Sequence, residues 1–229
     1  TIGIRAMKTL PPEALDAMLI GAKVIEEDGY GLKVARLEGG DFLKLYRRKR
    51  LLSSSLWTSP AQRFAKNAQH LTRLGLIAPV IVETLLIAQR KLNGVRYQPL
   101  PGQTLRDHWR ALEPLERDAE VERFGVFLGQ LHELGVYFRS LHLGNVLCLP
   151  DRTFGLIDLS DMTISGKPLG RWKRKRNLQH MLRYTEDSAW LTREHRTALL
   201  RGYCQQSGSK HAERLARDLQ QLCPSGAQP

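Results

Sequence analysis

Cysteine is scarce: Cys148, Cys204 and Cys223 are the three in 229 residues, an odd and unclustered set. They give no sign of a disulfide framework or a cysteine-rich zinc site, and they favour a reducing, cytosolic compartment. Long apolar runs are lacking as well. Leu74 to Ala88 comes nearest, but Pro79 and Glu83 interrupt it, and it falls short of the roughly 18 residues of a membrane span. Thr1 to Leu10 lacks the apolar stretch of a secretory leader. Acidic residues are also few: 35 Lys+Arg face 23 Asp+Glu, a formal net charge of +12. None lies between Asp41 and Glu83, or between Asp161 and Glu186. With 42% apolar residues the composition is that of a folded domain. Its basic excess points to an anionic partner: nucleic acid, an acidic membrane surface or a phosphorylated ligand.

The first part of the chain reads as strands. Ala22–Asp28, Leu32–Glu38 and Asp41–Arg47 are short runs punctuated by Asp28-Gly29-Tyr30-Gly31 and Gly39-Gly40, which is hairpin chemistry. A basic stretch, Arg47–Arg50, and a serine loop, Ser53–Ser55, follow. Ser59-Pro60 then opens a helix that runs to about Leu74 and stops at Gly75. Val80–Ala88 and Val95–Leu100 read as two more strands separated by a turn at Asn93-Gly94. After Pro101-Gly102 the pattern changes. Phe124, Phe127, Leu128, Leu131 and Leu134 recur at helical spacing and Gly135 closes the helix. Asn145–Leu149 and Phe154–Leu159 are short strands around Pro150-Asp151, and Asn177–Tyr184, Leu191–Gln205 and Ala212–Leu222 are helical. The tail Pro224–Pro229 reads as frayed.

The expected class is α+β with two lobes: residues 1–99 strand-rich with one helix, residues 100–229 mainly helical, joined near residues 98–103. A cleft between the lobes is the default ligand site.

The chemistry-bearing stretch is Leu131-His132-Glu133-Leu134-Gly135, then Phe138-Arg139-Ser140-Leu141-His142-Leu143-Gly144-Asn145. Asp158 follows within Leu156-Ile157-Asp158-Leu159-Ser160-Asp161. An Asn ending a loop and an Asp ending the next hairpin are the Mg²⁺ ligands of the kinase phosphoryl-transfer template, since a hard cation takes oxygen ligands. Lys44, on the third strand, stands where that template places its phosphate-pairing lysine. His132 and His142 suit bracing roles, and Asp161 suits a local cap.

In this order and spacing the sequence resembles the lipopolysaccharide core (Kdo/heptose) kinase family, which has a protein-kinase-like fold. The likeness runs from about Ala22 to Tyr203. It includes Leu100-Pro101-Gly102-Gln103-Thr104-Leu105, similar to the hinge and the segment after it, and Arg174-Lys175-Arg176-Asn177-Leu178, similar to a downstream helix. The resemblance implies ATP and Mg²⁺ as cofactors and a sugar hydroxyl of the lipopolysaccharide core as acceptor. It implies that Lys44 pairs the phosphates, Gly29 and Gly31 form a reduced glycine loop, Gln98 to Leu100 meet adenine, and Asn145 and Asp158 hold the metal.

Two positions depart from the family. The catalytic Asp position is Ser140, with Phe138 in place of the preceding His, and no glutamate is available to pair Lys44. Asn67 is the polar residue nearest that place. A serine cannot act as base, which predicts slow transfer or, alternatively, a pseudokinase that binds and regulates without turnover. The run Arg171–Arg176 with Lys167 is the densest basic patch. It reads as a contact for anionic lipid at the inner face of the cytoplasmic membrane, with Trp172 as anchor. A basic nucleic-acid-binding protein is the remaining alternative, with no recognised motif behind it.

Overall fold

Leu43 and Leu45 alternate with Phe42, Lys44 and Tyr46, so a strand here sends leucines to one face and the lysine to the other. The computed structural model, which describes residues 6–47 and 58–223, has this strand at the heart of a six-stranded sheet. The expected features at Arg48–Arg50, Ser53–Ser55 and Pro224–Pro229 lie outside the described residues.

Two compact units emerge. The first comprises residues 1–101 together with Ile157–Asp161, and the second comprises 102–156 and 162–229. The first unit contains β1 (Lys8–Thr9), α1 (Pro12–Leu19), β2 (Lys23–Asp28), β3 (Gly31–Arg36), β4 (Phe42–Arg47), α2 (Pro60–Arg73), β5 (Val80–Ile87) and β6 (Leu92–Gln98). Strand order is β1-β5-β6-β4-β3-β2, with β1 parallel to β5 and the other pairs antiparallel. Leu43 and Leu45 pack with Leu10, Leu15, Leu85 and Ile87, covered by Ala14 and Met18 of α1. On helix α2, Ala61, Phe64, Ala65, Ala68 and Leu71 are buried, and the Phe64 ring stacks on Tyr97 of β6 at 5.1 Å. Ser59 caps α2 in a reciprocal capping box with Gln62, which satisfies otherwise orphaned amides.

Three elements here differ from the sequence reading. The five expected strands are present, and the short β1 adds a sixth beside β5. Asn93-Gly94 is not a turn: both residues lie inside β6, and the chain reverses instead at Ala88–Lys91, with Lys91 left-handed at φ 54°. The reason is packing. Asn93 is buried, accepting the Ala61 amide at 3.1 Å and donating to the Tyr46 carbonyl at 3.3 Å. A methyl group on Gly94 would sit 3.0 Å from the Leu45 side chain. Finally, α1 has no counterpart in the sequence reading; it follows Pro11, with Pro12 in a first-turn position that tolerates proline.

The second unit holds β7 (Gln103–Thr104), α3 (Leu105–Arg110), α4 (Pro114–Glu133), β8 (Val136–Phe138), β9 (Val146–Cys148), β10 (Phe154–Leu156), β11 (Met162–Ile164), α5 (Arg171–Met181), α6 (Thr185–Ala189), α7 (Arg196–Ser207) and α8 (Ser209–Leu222). Two small sheets, β10-β9-β7 and β11-β8, flank the helices. Trp109, Phe124, Leu128, Leu131, Leu199 and Tyr203 are buried among them, and Trp109 meets Phe124 and Trp190 edge-on. Helices α4 and α7 approach closely through glycine. A methyl group on Gly202 would lie 1.8 Å from the Glu122 carbonyl oxygen, and one on Gly125 2.4 Å from that of Leu199.

The basic run turns out to begin a helix rather than to precede one: α5 starts at Arg171, not Asn177. Helix α7 likewise starts at Arg196 rather than Leu191, because Trp190–Glu194 forms a wider π-type turn closed by His195 N–H on the Trp190 carbonyl.

Candidate functional site

In the first unit the expected lysine and aspartate meet. Lys44 Nζ donates to Asp158 Oδ1 at 2.7 Å, the lysine largely buried and the aspartate half-buried. Asp158 has φ 57°, the left-handed region. Among non-glycine residues Asp is one of the few that visit it, and such conformations collect at functional sites. The segment is clamped by α2. Asn67 Nδ2 donates to the Leu159 carbonyl at 2.7 Å, and Arg63 Nε to the Ser160 carbonyl at 3.0 Å. Arg63 and Asn67 are one helical turn apart, so a single face of α2 makes both contacts.

The salt bridge of Lys44 runs to Asp158, and Asn67, the polar residue nearest the place of the missing glutamate, fixes the backbone one residue beyond it. Sequence reasoning missed the clamp, although its signal was legible as a polar residue on the apolar stripe of α2.

Gly29 lies in the tight β2–β3 turn and Gly31, at φ 116°, pairs with Asp28 at the start of β3. Asp28 accepts from Arg47 at 3.3 Å, and the Arg47 guanidinium sits over the Tyr30 ring and bonds the Tyr30 carbonyl. Gln98 ends β6 and is exposed, and Leu100 beyond it is half-buried.

In the second unit, Asn145 is buried and its Nδ2 donates to the Ser140 carbonyl at 2.8 Å, so these two residues tie the loop to itself. His142 is a brace, as expected: its Nδ1 accepts the Gly144 amide at 3.1 Å and its ring packs edge-on against Tyr184. Asp187, fully buried in α6, accepts two bonds from Arg106 at 2.7 and 2.8 Å and one from the Leu143 amide at 3.3 Å. The Arg106 guanidinium also lies over the Tyr184 ring at 4.2 Å. This bidentate ion pair pre-orders the loop and was not foreseen. Its residues lie about 80 positions apart, so no local pattern marks them. Phe138 is fully buried in β8, where it pairs with Met162.

His132 is structural too. Its Nδ1 meets the Tyr203 hydroxyl at 2.8 Å, and burial, aided by the nearby Arg174 charge, pushes its pKa down to about 3.

The basic patch is divided by α5. Arg174 turns inward, donating to the Leu169 carbonyl, the Tyr203 hydroxyl and Glu133. Lys175 binds Gln221 at 2.8 Å and lies 3.7 Å from Asp218. Arg174 is thus withdrawn from the expected surface, because an 11-residue helix cannot show six consecutive residues to one side. Lys167, Arg171, Trp172 and Arg176 remain exposed. Among the described residues, no helix is long and apolar enough to cross a membrane.

Residues 102–203 match the Lipopolysaccharide kinase (Kdo/WaaP) family. The matched span contains the Ser140–Asn145 loop and Asp158 but not Lys44, and it supports a kinase-like function. No curated protein matches the chain in sequence. Among solved structures, the kinase PK-1 of Cydia pomonella granulovirus is similar at 11% identity with a TM-score of 0.41, over 69% of this chain and 58% of that one. The chain thus spans less than two thirds of that kinase's length.

Proposed function

We propose that this chain is a phosphotransferase of the lipopolysaccharide-kinase type, carrying the terminal phosphoryl group of ATP to a sugar hydroxyl of the lipopolysaccharide core. The observation that carries the reading is the Lys44–Asp158 pair at 2.7 Å, on a left-handed aspartate whose segment α2 clamps. Residues 1–99 and 100–229 would act as the two lobes of one kinase-like domain. In this reading Lys44 would pair the phosphates, Gly29 and Gly31 would form a reduced glycine loop, and the backbone from Gln98 to Leu100 would meet adenine.

Each proposed donor is of the kind that magnesium takes. Asp158 engages Lys44 through one oxygen and keeps the second, and Asn145 offers an amide oxygen, both hard ligands. When bound, Mg²⁺ would neutralise charge on the transferring phosphates. Ser140 occupies the base position without basicity. The acceptor proton would then leave to solvent as the sugar oxygen bonds the terminal phosphorus and the bond to the departing ADP oxygen breaks, which a loose transition state tolerates at a cost in rate of about 10²–10⁴-fold.

Burial of Phe138 and the serine at position 140 favour a second reading, a pseudokinase that binds nucleotide without turnover. The acceptor surface would be anionic: Lys167, Arg171, Trp172 and Arg176 suit a lipid headgroup layer at the inner membrane face.

Thermal unfolding with ATP, with and without Mg²⁺, tests the nucleotide step, and phosphate transfer to core oligosaccharide tests turnover. Mg²⁺-dependent stabilisation with transfer supports the enzyme, and stabilisation without transfer supports the pseudokinase. An unmoved melting curve with every nucleotide overturns both.

A further inference from the structure

The second unit contains an open cavity of about 720 Å³ that no part of the phosphotransfer reading uses. Its lining includes Gln103, His108, Glu120, Cys148 and Arg152. Three of these are metal-ligating types brought from three elements. His108 comes from α3, Glu120 from α4 and Cys148 from the end of β9, and their ligand atoms all lie within 4.8 Å of one another. Glu120 and Cys148 are buried and His108 is half-buried.

Two further observations point to a ligand. His108 Nε2 is buried and has no hydrogen-bond partner among the described residues, while its Nδ1 lies 3.1 Å from the Gln103 side-chain amide. With the Gln103 oxygen turned to that side, Nδ1–H donates and Nε2 is left with its lone pair, the arrangement in which an outer partner orients a metal-binding imidazole. The backbone is also shaped for the approach. Gly102, at φ 139°, lies so close to Cys148 that a methyl group there would be 2.3 Å from the Cys148 carbonyl oxygen.

From this geometry we infer that His108, Glu120 and Cys148 form a binding site for a zinc-like divalent ion, with a fourth position open to the cavity. One imidazole, one thiolate and one carboxylate suit zinc, and three protein ligands with an open place is a recurrent zinc arrangement. Bonds of about 2.0–2.3 Å set tetrahedral ligands roughly 3.3–3.8 Å apart, so the three side chains close by about an ångström. Glu120 also accepts from Arg123 at 2.9 and 3.1 Å and from Arg152. A carboxylate has about four acceptor sites, so one remains. Arg152 is largely exposed and can turn to solvent as the cation enters. The ion would join α3, α4 and β9, segments with no covalent tie beyond the chain itself.

The test uses the full chain, stripped with chelator and titrated with Co²⁺ and then Zn²⁺. The expected result is one equivalent of Co²⁺ with a thiolate-to-cobalt charge-transfer band, which Zn²⁺ displaces. Cys148→Ser should abolish the band. His108→Ala should weaken binding by more than the roughly 10–100-fold that loss of an outer partner costs, and Gln103→Leu should fall within that range. Absence of the band overturns the site. So does a band retained in Cys148→Ser, which would place the thiolate at Cys204 or Cys223. If Cys148→Ser fails to fold, unchanged Co²⁺ affinity in His108→Ala overturns the site equally.

Discussion

Asn67 holds the carbonyl oxygen of Leu159 at 2.7 Å, one residue past the aspartate that pairs Lys44. The Asn67 contact is neutral, and among the described residues the salt bridge of Lys44 runs to Asp158. Asn67→Ala strands a buried carbonyl and should cost about 1–3 kcal/mol, read as a lower urea midpoint. Asn67→Asp, which keeps the size but removes the donor, should do no better than alanine. An unchanged midpoint in both would show that the clamp contributes nothing.

Ser140 separates a slow enzyme from a retired one. Ser140→Asp restores a carboxylate at the base position and should raise phosphate transfer by up to about 10²–10⁴-fold. The rise should vanish in combination with Asp158→Ala. No transfer in any variant, with ATP bound and the protein folded, would leave only the pseudokinase.

Much of this architecture is legible in residue order. Strands β2 to β5, helix α2 with its Ser59-Pro60 start, and the long α4 follow directly from periodicity and turn chemistry. The failures have physical causes. Asn93-Gly94 carries as strong a hairpin signal as Asp28-Gly29, yet the asparagine is used to hold Ala61 and Tyr46 and the glycine to let Leu45 approach. Arg174 reads as one more surface charge, but a hydroxyl and a carboxylate about 30 and 40 positions away draw it inward. Local pattern singles out Lys44 and Asp158, which meet in an ion pair, and Asn145, which bonds its own loop. It marks Asn67 as a polar residue on an apolar stripe without naming its partner, and it cannot mark Arg106 and Asp187, which are distant in sequence from each other.

His132 makes stability depend on pH. Its folded pKa, near 3, lies below the ordinary value of 6.5, so the unfolded chain takes up the proton first. The stabilisation is complete above pH 6.5 and erodes as pH falls toward 3, by up to about 1.4 kcal/mol per pH unit. His211, lowered chiefly by burial, acts in the same direction. Urea midpoints from pH 6.5 to 5, above most carboxylate titrations, should therefore decline, and His132→Gln should flatten the decline. A wild-type profile flat across that interval would contradict the assignment.

Gly202→Ala should be among the most damaging single-methyl changes in the chain. Backbone, not a movable side chain, stands 1.8 Å from the added atom. The helices must separate, at a cost at or above the roughly 1–3 kcal/mol of ordinary overpacking. Thermal denaturation checks this, with Gly208→Ala as a sterically open but positive-φ comparison. Equal melting temperatures for Gly202→Ala and wild type would mean that α4 and α7 separate without cost.

Because Ile157–Asp161 belongs with residues 1–101, the polypeptide passes from one unit to the other three times. No single cut divides it. A fragment ending at Pro101 would carry Lys44 without its counter-charge. A fragment beginning at Gly102 would carry Asp158 on a five-residue excursion stripped of the sheet and helix that hold it. Neither half can be exchanged between related chains as a module, and the Lys44–Asp158 ion pair is inherited only whole.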